Sequence, residues 1–170
     1  DVDGAESRPA LAHRVNGEAV GRLGQLARTH GKWVLHISTD FVFDGELDRP
    51  YVETDGPNPI NEYGRSKLAG ERLLQESGCA HCLVRLEWTY GPHGRNFVTK
   101  LVERARTSRT LNVVSDQVGS PTATAEAARA FCTLLEERRE GLYHFASAGY
   151  VSRYEMAAFV FEHLGMEVEL

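Results

Sequence analysis

The sequence predicts an α/β protein built on a doubly wound parallel sheet, and three observations carry that reading. Short, nearly continuous apolar runs recur at 33–37, 82–86, 111–114 and 142–145, as in strands buried on both faces. Longer stretches with apolar residues at helical spacing separate them, so the order reads αβαβαβαβα. No internal repeat or low-complexity linker interrupts the alternation. The 170 residues, 42% of them hydrophobic and 25% charged, suffice for one domain with its own core.

Ser7 and Pro9 mark the expected start of the first helix, because a serine caps orphan amides and proline is tolerated in the first turn. Leu11, Val15, Ala19, Leu23, Leu26 and Ala27 continue it at helical spacing, and Gly31 stops it. Gly17, Gly21 and Gly24 lie inside this helix with no strand before them, so they read as helix packing or surface positions rather than a phosphate-binding turn. The run at 33–37 is the first strand, and the Pro- and acid-rich segment 44–59 is a functional surface loop. A helix from Tyr63 ends at Gly78, and 82–86 is the second strand. A helix follows from Asn96 to about Thr107, with Phe97, Leu101, Val102 and Ala105 inward, then a third strand at 111–114. Beyond Pro121 a helix carries Ala127, Ala128, Phe131, Leu134 and Leu135 and closes at Gly141, with the fourth strand at 142–145. Ser152 and Glu155 form a capping box for the last helix, which ends near Gly165.

The chemistry concentrates between Ser38 and Lys67. Tyr63 and Lys67 are spaced to share one helix face. An ammonium beside a phenol stabilises the phenolate, so the expectation is a lowered Tyr63 pKa suited to proton transfer. Thr39 closes a predicted parallel strand, where ligands of open α/β sheets bind, and could reach the same oxygen.

Other classes are disfavoured. The net charge of −5, with acids and bases interspersed, gives no basic footprint for nucleic acid. No apolar run approaches a membrane span and no signal peptide opens the chain, so a cytoplasmic location is the expectation. Cys79 and Cys82 are formally C-x-x-C but lack a second pair, and the seven histidines are scattered, so no metal site is expected.

The chain resembles the extended short-chain dehydrogenase/reductase family, and within it the dTDP-4-dehydrorhamnose reductase-like NDP-sugar reductases. The resemblance rests on Val2-Asp3 with Ala5-Glu6, on Ser38 to Gly45 and on Tyr63 to Glu71. It extends through Arg85 with Trp88, Asn96-Phe97, Asp116-Gln117 with Gly119, Pro121-Thr122 and Gly141 to His144. It implies a Rossmann-like fold, NADPH or NADH as cofactor, and a nucleotide-sugar substrate. Thr39, Tyr63 and Lys67 would be catalytic; Ser38, Tyr63 and Lys67 would hold the cofactor; Asp40, Phe41, Trp88 and Asn96 would face the sugar. Asn16 would support the Tyr/Lys pair through a water relay. A homodimer is a further expected partner, with neither nucleic acid nor membrane.

Against the family pattern, Leu86-Glu87 stand where these reductases usually carry Thr-Ser, and Phe41 stands where the related 4,6-dehydratases carry a glutamate, which disfavours dehydration. The family's glycine-rich turn has no counterpart, so the chain reads as a partial single domain: about 1–115 the second half of the Rossmann-like fold with the Tyr/Lys site, and about 116–170 mixed sheet and substrate-side elements. Such a fragment is expected to be inactive by itself and the intact parent to be an NAD(P)H-dependent reductase of a 4-keto nucleotide sugar. The alternatives are a non-catalytic subunit resembling the regulatory subunit of methionine adenosyltransferase, and an NDP-sugar epimerase/reductase.

Overall fold

Three parallel strands, in the order β1-β2-β6, organise the larger part of the computed structural model, which describes residues 1–170. Strand β1 is Val34–Thr39 and β2 is His81–Leu86. Two short strands, β3 (Thr89–Tyr90) and β4 (Val118–Gly119), and a third, β5 (Thr122–Ala123), precede β6, Gly141–Phe145. Val34 aligns with His81 across the first pair and Cys82 with Gly141 across the second. The central strand β2 is buried along Cys82, Leu83, Val84 and Arg85, as its apolar composition requires. The chain divides into two compact units, Asp1–Leu86 with Phe131–Phe145, and Glu87–Ala130 with Ala146–Leu170.

In the first unit the helical stretch begins earlier than expected. A short helix α1, Val2–Ser7, precedes the Pro9 start, with the Asp1 carboxylate accepting from the Gly4 amide at 3.0 Å. Arg8 then leaves helical geometry and Pro9 opens α2, Pro9–His13. The helix widens into a π turn at Arg14–Glu18 and resumes as α3, Ala19–Thr29. Against this rod packs α4, Glu62–Glu76, capped by the Asn61 side chain and stopped where Gly78 turns to φ +66. The contact is close because glycines line it: a Cβ at Gly24 would meet Leu74 Cδ1 at 2.9 Å, and one at Gly70 would run into the Asn16 carbonyl. Thus Gly17, Gly21 and Gly24 serve helix packing. Val20, Ala27, Leu74, Cys79 and Leu83 form the core beneath, which gives Cys79 its role as a small buried hydrophobe.

In the second unit, α5 (Phe97–Ala105) and α7 (Arg153–Leu164) enclose a core of Leu101, Ala157 and Phe161. Both begin in reciprocal capping boxes, at Asn96 with Thr99 and at Ser152 with Glu155, and α7 ends at Gly165 in the left-handed region, φ +60. Helix α6, Thr124–Glu136, has residues in both units. The short strands pair β3 with β5 and β4 with β7, Val151–Ser152.

The expected strand at 111–114 does not form. Leu111 and Val113 alternate into the apolar cluster, as a strand's residues would, but the ladder contact is a single bridge between Thr110 and Glu169, beside which Leu111 N donates to Glu169 O at 2.9 Å. Apolar alternation was present; a ladder partner was not. The parallel sheet therefore has three strands rather than four.

Leu74 is fully buried at the centre of the first core. Leu74→Ala should cost about 2–5 kcal/mol, as deletions of buried leucine side chains do. Leu73→Ala, at a position 36% exposed one residue away, should cost much less; urea unfolding of the two variants makes the comparison.

Candidate active site

The end of β1 and the first turns of α4 bring the reactive residues together. Thr39 terminates β1 in extended conformation, and its hydroxyl accepts from Phe41 N at 3.2 Å and donates to Asp40 Oδ1 at 2.9 Å, which sets up a tight 3-10 turn over Asp40–Val42. Helix α4 starts beside that turn. Its Gly64 is buried against the Phe41 carbonyl, a place where any Cβ would collide, so the Tyr63 turn can sit directly on the Asp40–Val42 backbone. The Phe41 and Tyr63 rings meet edge to face at 5.6 Å, with the Thr39 hydroxyl near the Tyr63 phenol. One helical turn on, Lys67 Nζ donates to the Ile37 carbonyl of β1 at 2.7 Å. The structure thus brings Thr39, Tyr63 and Lys67, with Ser38, Asp40 and Phe41, to the carboxyl end of one parallel strand, where α/β folds bind ligands.

The electrostatics correct one expectation. The Tyr63 phenol is raised above its ordinary value, first by burial and then by the Asp40 carboxylate, with only the Thr39 hydroxyl favouring the phenolate. Lys67 is itself pushed down by burial, partly opposed by Glu71. Helical spacing put the ammonium and the phenol on one face, but Lys67 reaches past the tyrosine to the strand carbonyl, and desolvation outweighs pairing. Tyr63 is therefore held as a neutral proton donor.

Asn16 sits within the π turn, and its side-chain amide donates to Ser66 Oγ at 3.0 Å while that hydroxyl donates to Tyr63 O at 2.8 Å. It steadies the turn carrying Tyr63 through its side chain. π bulges recur at functional positions of helices.

Trp88 and Asn96 belong to the second unit. Trp88 adopts φ +41, an uncommon backbone for a large side chain. Glu87 Oε1 accepts from Ser120 N at 2.9 Å, and a Cβ at Gly119 would run into both the Glu87 carboxylate and the Trp88 indole. The Arg153 guanidinium lies 3.3 Å from the Trp88 ring centroid and 4.8 Å from that of Phe97. Asn96 uses its side chain as the α5 cap, accepting from Thr99 N at 3.1 Å and donating to Gly91 O at 2.9 Å.

Sequence reasoning passed over two features of the first unit. His36, on β1, faces Lys67 and Glu71, and burial together with the Lys67 ammonium pushes its pKa down to about 4, so it is neutral near pH 7. Arg85 and Glu71 form a buried bidentate ion pair, Nε to Oε1 at 3.0 Å and Nη2 to Oε2 at 2.7 Å. A charged residue in an apolar central strand was the available signal, since such a residue demands a partner.

The residues at the β1 end suit a hydroxyl-rich group such as a nicotinamide ribose. Ser38 Oγ is buried there without a hydrogen-bond partner, and the Lys67 ammonium, a triple donor, has its bond to Ile37 O as one of three.

Comparison with known proteins places this geometry among relatives. The family model described as the RmlD substrate binding domain matches residues 1–170. A dTDP-4-dehydrorhamnose reductase of Salmonella typhimurium is 40% identical over 168 residues, which cover 95% of this chain and 56% of that protein. The crystal structure of a dTDP-4-dehydrorhamnose reductase from Clostridium acetobutylicum superposes with a TM-score of 0.95 at 36% identity, over 99% of this chain and 60% of that one. That of the dTDP-4-dehydrorhamnose reductase from Bacillus anthracis in complex with NADP gives 0.95 at 34% identity, over 99% and 61%. The chain spans somewhat over half the length of these relatives.

Two outcomes are expected. Asp40→Asn removes the charge that opposes the phenolate, so the Tyr63 titration should move down in pH, read from the ring resonances of 13C-tyrosine-labelled protein. The unfolded chain protonates His36 near 6.5 and the folded chain not until about 4, so stability should fall as pH drops through that interval. His36→Gln should flatten that part of the profile in thermal unfolding.

Proposed function

The chain belongs to the RmlD substrate-binding domain family, and from that premise we propose that it carries the proton-transfer site of an NAD(P)H-dependent reductase acting on a 4-keto nucleotide sugar of the dTDP-4-dehydrorhamnose type. The observation that supports this most is the convergence of Thr39, Tyr63 and Lys67 at the carboxyl end of β1, beside the unpartnered Ser38 hydroxyl. The bound nicotinamide would supply hydride. Ser38 and Lys67 would hold its ribose, the lysine as a fixed donor tied to the Ile37 carbonyl.

At the keto carbon, reduction places negative charge on the carbonyl oxygen, and a neutral acid must be within reach to take it over. Tyr63 meets that need because burial and Asp40 keep its proton in place. As it gives the proton up, the Lys67 ammonium on the same helix face moderates the new charge. The proton is then restored from solvent. Thr39 would turn its one hydroxyl proton from Asp40 to the substrate carbonyl, and Asp40 and Phe41 would line the sugar's side. Phe41, with no acid in its ring, fits reduction rather than elimination of water.

Tyr63→Phe keeps the ring against Phe41 and removes only the hydroxyl. In the reductase that carries this chain, turnover of a dTDP-4-keto sugar should fall about 10²–10⁴-fold, the usual worth of general acid catalysis, while the dissociation constant for NADPH or NADH stays near wild type. Turnover at the wild-type rate would remove Tyr63 from the mechanism and favour a non-catalytic binding role.

A further inference from the structure

We propose that Glu71 and Arg85 are a positioning pair for Lys67, a buried carboxylate and its guanidinium clamp that hold the ammonium charged and aimed at the end of β1. The inference rests on the proposed role of Lys67. It starts from spacing: Tyr63, Lys67 and Glu71 follow one another every four residues along α4, so one helix face presents phenol, ammonium and carboxylate in a row. The first two face the β1 end, and the third is sealed in. Glu71 and Arg85 have side chains only 2% and 5% exposed, and both carboxylate oxygens are engaged by the fork of one guanidinium.

The clamp is itself anchored on three sides. Arg85 stands on the central strand β2, and its Nη1 lies 3.4 Å from His144 Nε2 on the neighbouring strand β6. Its guanidinium is 5.0 Å from the Phe43 ring centroid, just beyond the Asp40–Val42 turn. His144 in turn bonds the Tyr51 carbonyl through Nδ1 at 3.1 Å and donates its amide to Glu53 at 2.7 Å, so the loop after the turn is tied to the same strand. A shift of the loop is thus coupled to the guanidinium, and a shift of the guanidinium to Glu71.

A plain structural brace would not need charge. Buried ion pairs pay a desolvation cost that well-packed apolar residues avoid, and replacing a whole pair by them is often neutral or stabilising. What an apolar pair cannot supply is a carboxylate one helical turn from an ammonium that burial disfavours. The groups facing Lys67 are His36 from β1, Tyr63 and Glu71 from its own helix, and, behind Glu71, Arg85 from β2. His36 is neutral, Tyr63 is protonated, and Glu71 is the negative charge among them. Its removal leaves the ammonium with no favourable charge and exposes it to an unpaired guanidinium.

The chain has three lysines, Lys32, Lys67 and Lys100, so 13Cε-lysine labelling gives a spectrum in which Lys67→Arg identifies the Lys67 signal. Its titration is followed in wild type, Glu71→Gln, Arg85→Lys and the double variant Glu71→Gln/Arg85→Met, with cooperative unfolding checked for each. The midpoint should drop most in Glu71→Gln, drop by less in the double variant, where the guanidinium is gone as well, and stay near wild type in Arg85→Lys, where the carboxylate keeps a cation. The double variant decides if Glu71→Gln alone does not fold, because it leaves no buried charge unpaired. A folded double variant with the wild-type midpoint overturns the proposal and makes the pair a brace. The measurement needs neither cofactor nor sugar: normal turnover by Tyr63→Phe would refute the catalytic reading and leave this titration result standing.

Discussion

The absence of a side chain at Gly64 fixes the distance between a helix and a turn, and the arrangement of the reactive residues follows from that distance. The Phe41 carbonyl occupies the place where a Cβ would project, so the first turn of α4 lies directly on the backbone that follows β1. Only at that separation can the Tyr63 ring meet Phe41 edge on beside the end of β1. The same seating brings Lys67 to the Ile37 carbonyl. A second close approach acts on the other side of the helix, where Gly70 accommodates the Asn16 carbonyl and Asn16 reaches Ser66. Helix α4 is thereby held between a strand end and a π turn, and neither contact tolerates a methyl group.

Burial then decides how the groups so placed behave. In water, an ammonium and a phenol on one helix face would draw the phenolate toward neutral pH. Here both are partly buried, which raises the phenol and lowers the ammonium, so each moves toward its neutral form. Asp40 reinforces the first shift and Glu71 resists the second. Two carboxylates, one on the turn and one on the helix, thus act in opposite functional senses: Asp40 keeps a proton on the acid and Glu71 keeps a charge on the lysine. His36, beside Lys67 and Glu71, is silenced, since burial and the neighbouring ammonium both disfavour its cation.

Most of the frame was legible in the sequence because it rests on local signals. The cap at Ser152, the stops at Gly31, Gly78 and Gly165, and the apolar runs of β1, β2 and β6 need nothing beyond their immediate neighbours to be recognised. The meeting of Thr39, Tyr63 and Lys67 was likewise readable, from one strand end and one helical spacing. What was not legible depends on partners distant in the chain. The segment 111–114 has strand-like alternation, yet a strand exists only where a ladder partner does, and Glu169 offers a single bridge. The direction of the Tyr63 shift depends on how much solvent the fold removes, which spacing does not encode. Helix α1 went unread because it is a six-residue helix containing a glycine, below the length at which periodicity speaks.

Glu87 shows how a departure from a family pattern changes meaning once its surroundings are known. Beside a tryptophan expected to face a sugar, a carboxylate in place of a hydroxyl suggests a charge directed at substrate. Its oxygen is instead bonded to the Ser120 amide, in a corner that Gly119 leaves open. That bond links the residue before Trp88 to the β4 segment, while Arg153 lies over the indole ring, so the uncommon φ of Trp88 is supported from both its backbone and its side chain. A threonine or serine hydroxyl is shorter than a glutamate by two bonds and could span this gap only if the two segments moved together. The carboxylate is therefore engaged by the backbone of its own unit, and the departure from the family pattern ties the residue before Trp88 to the segment after β4.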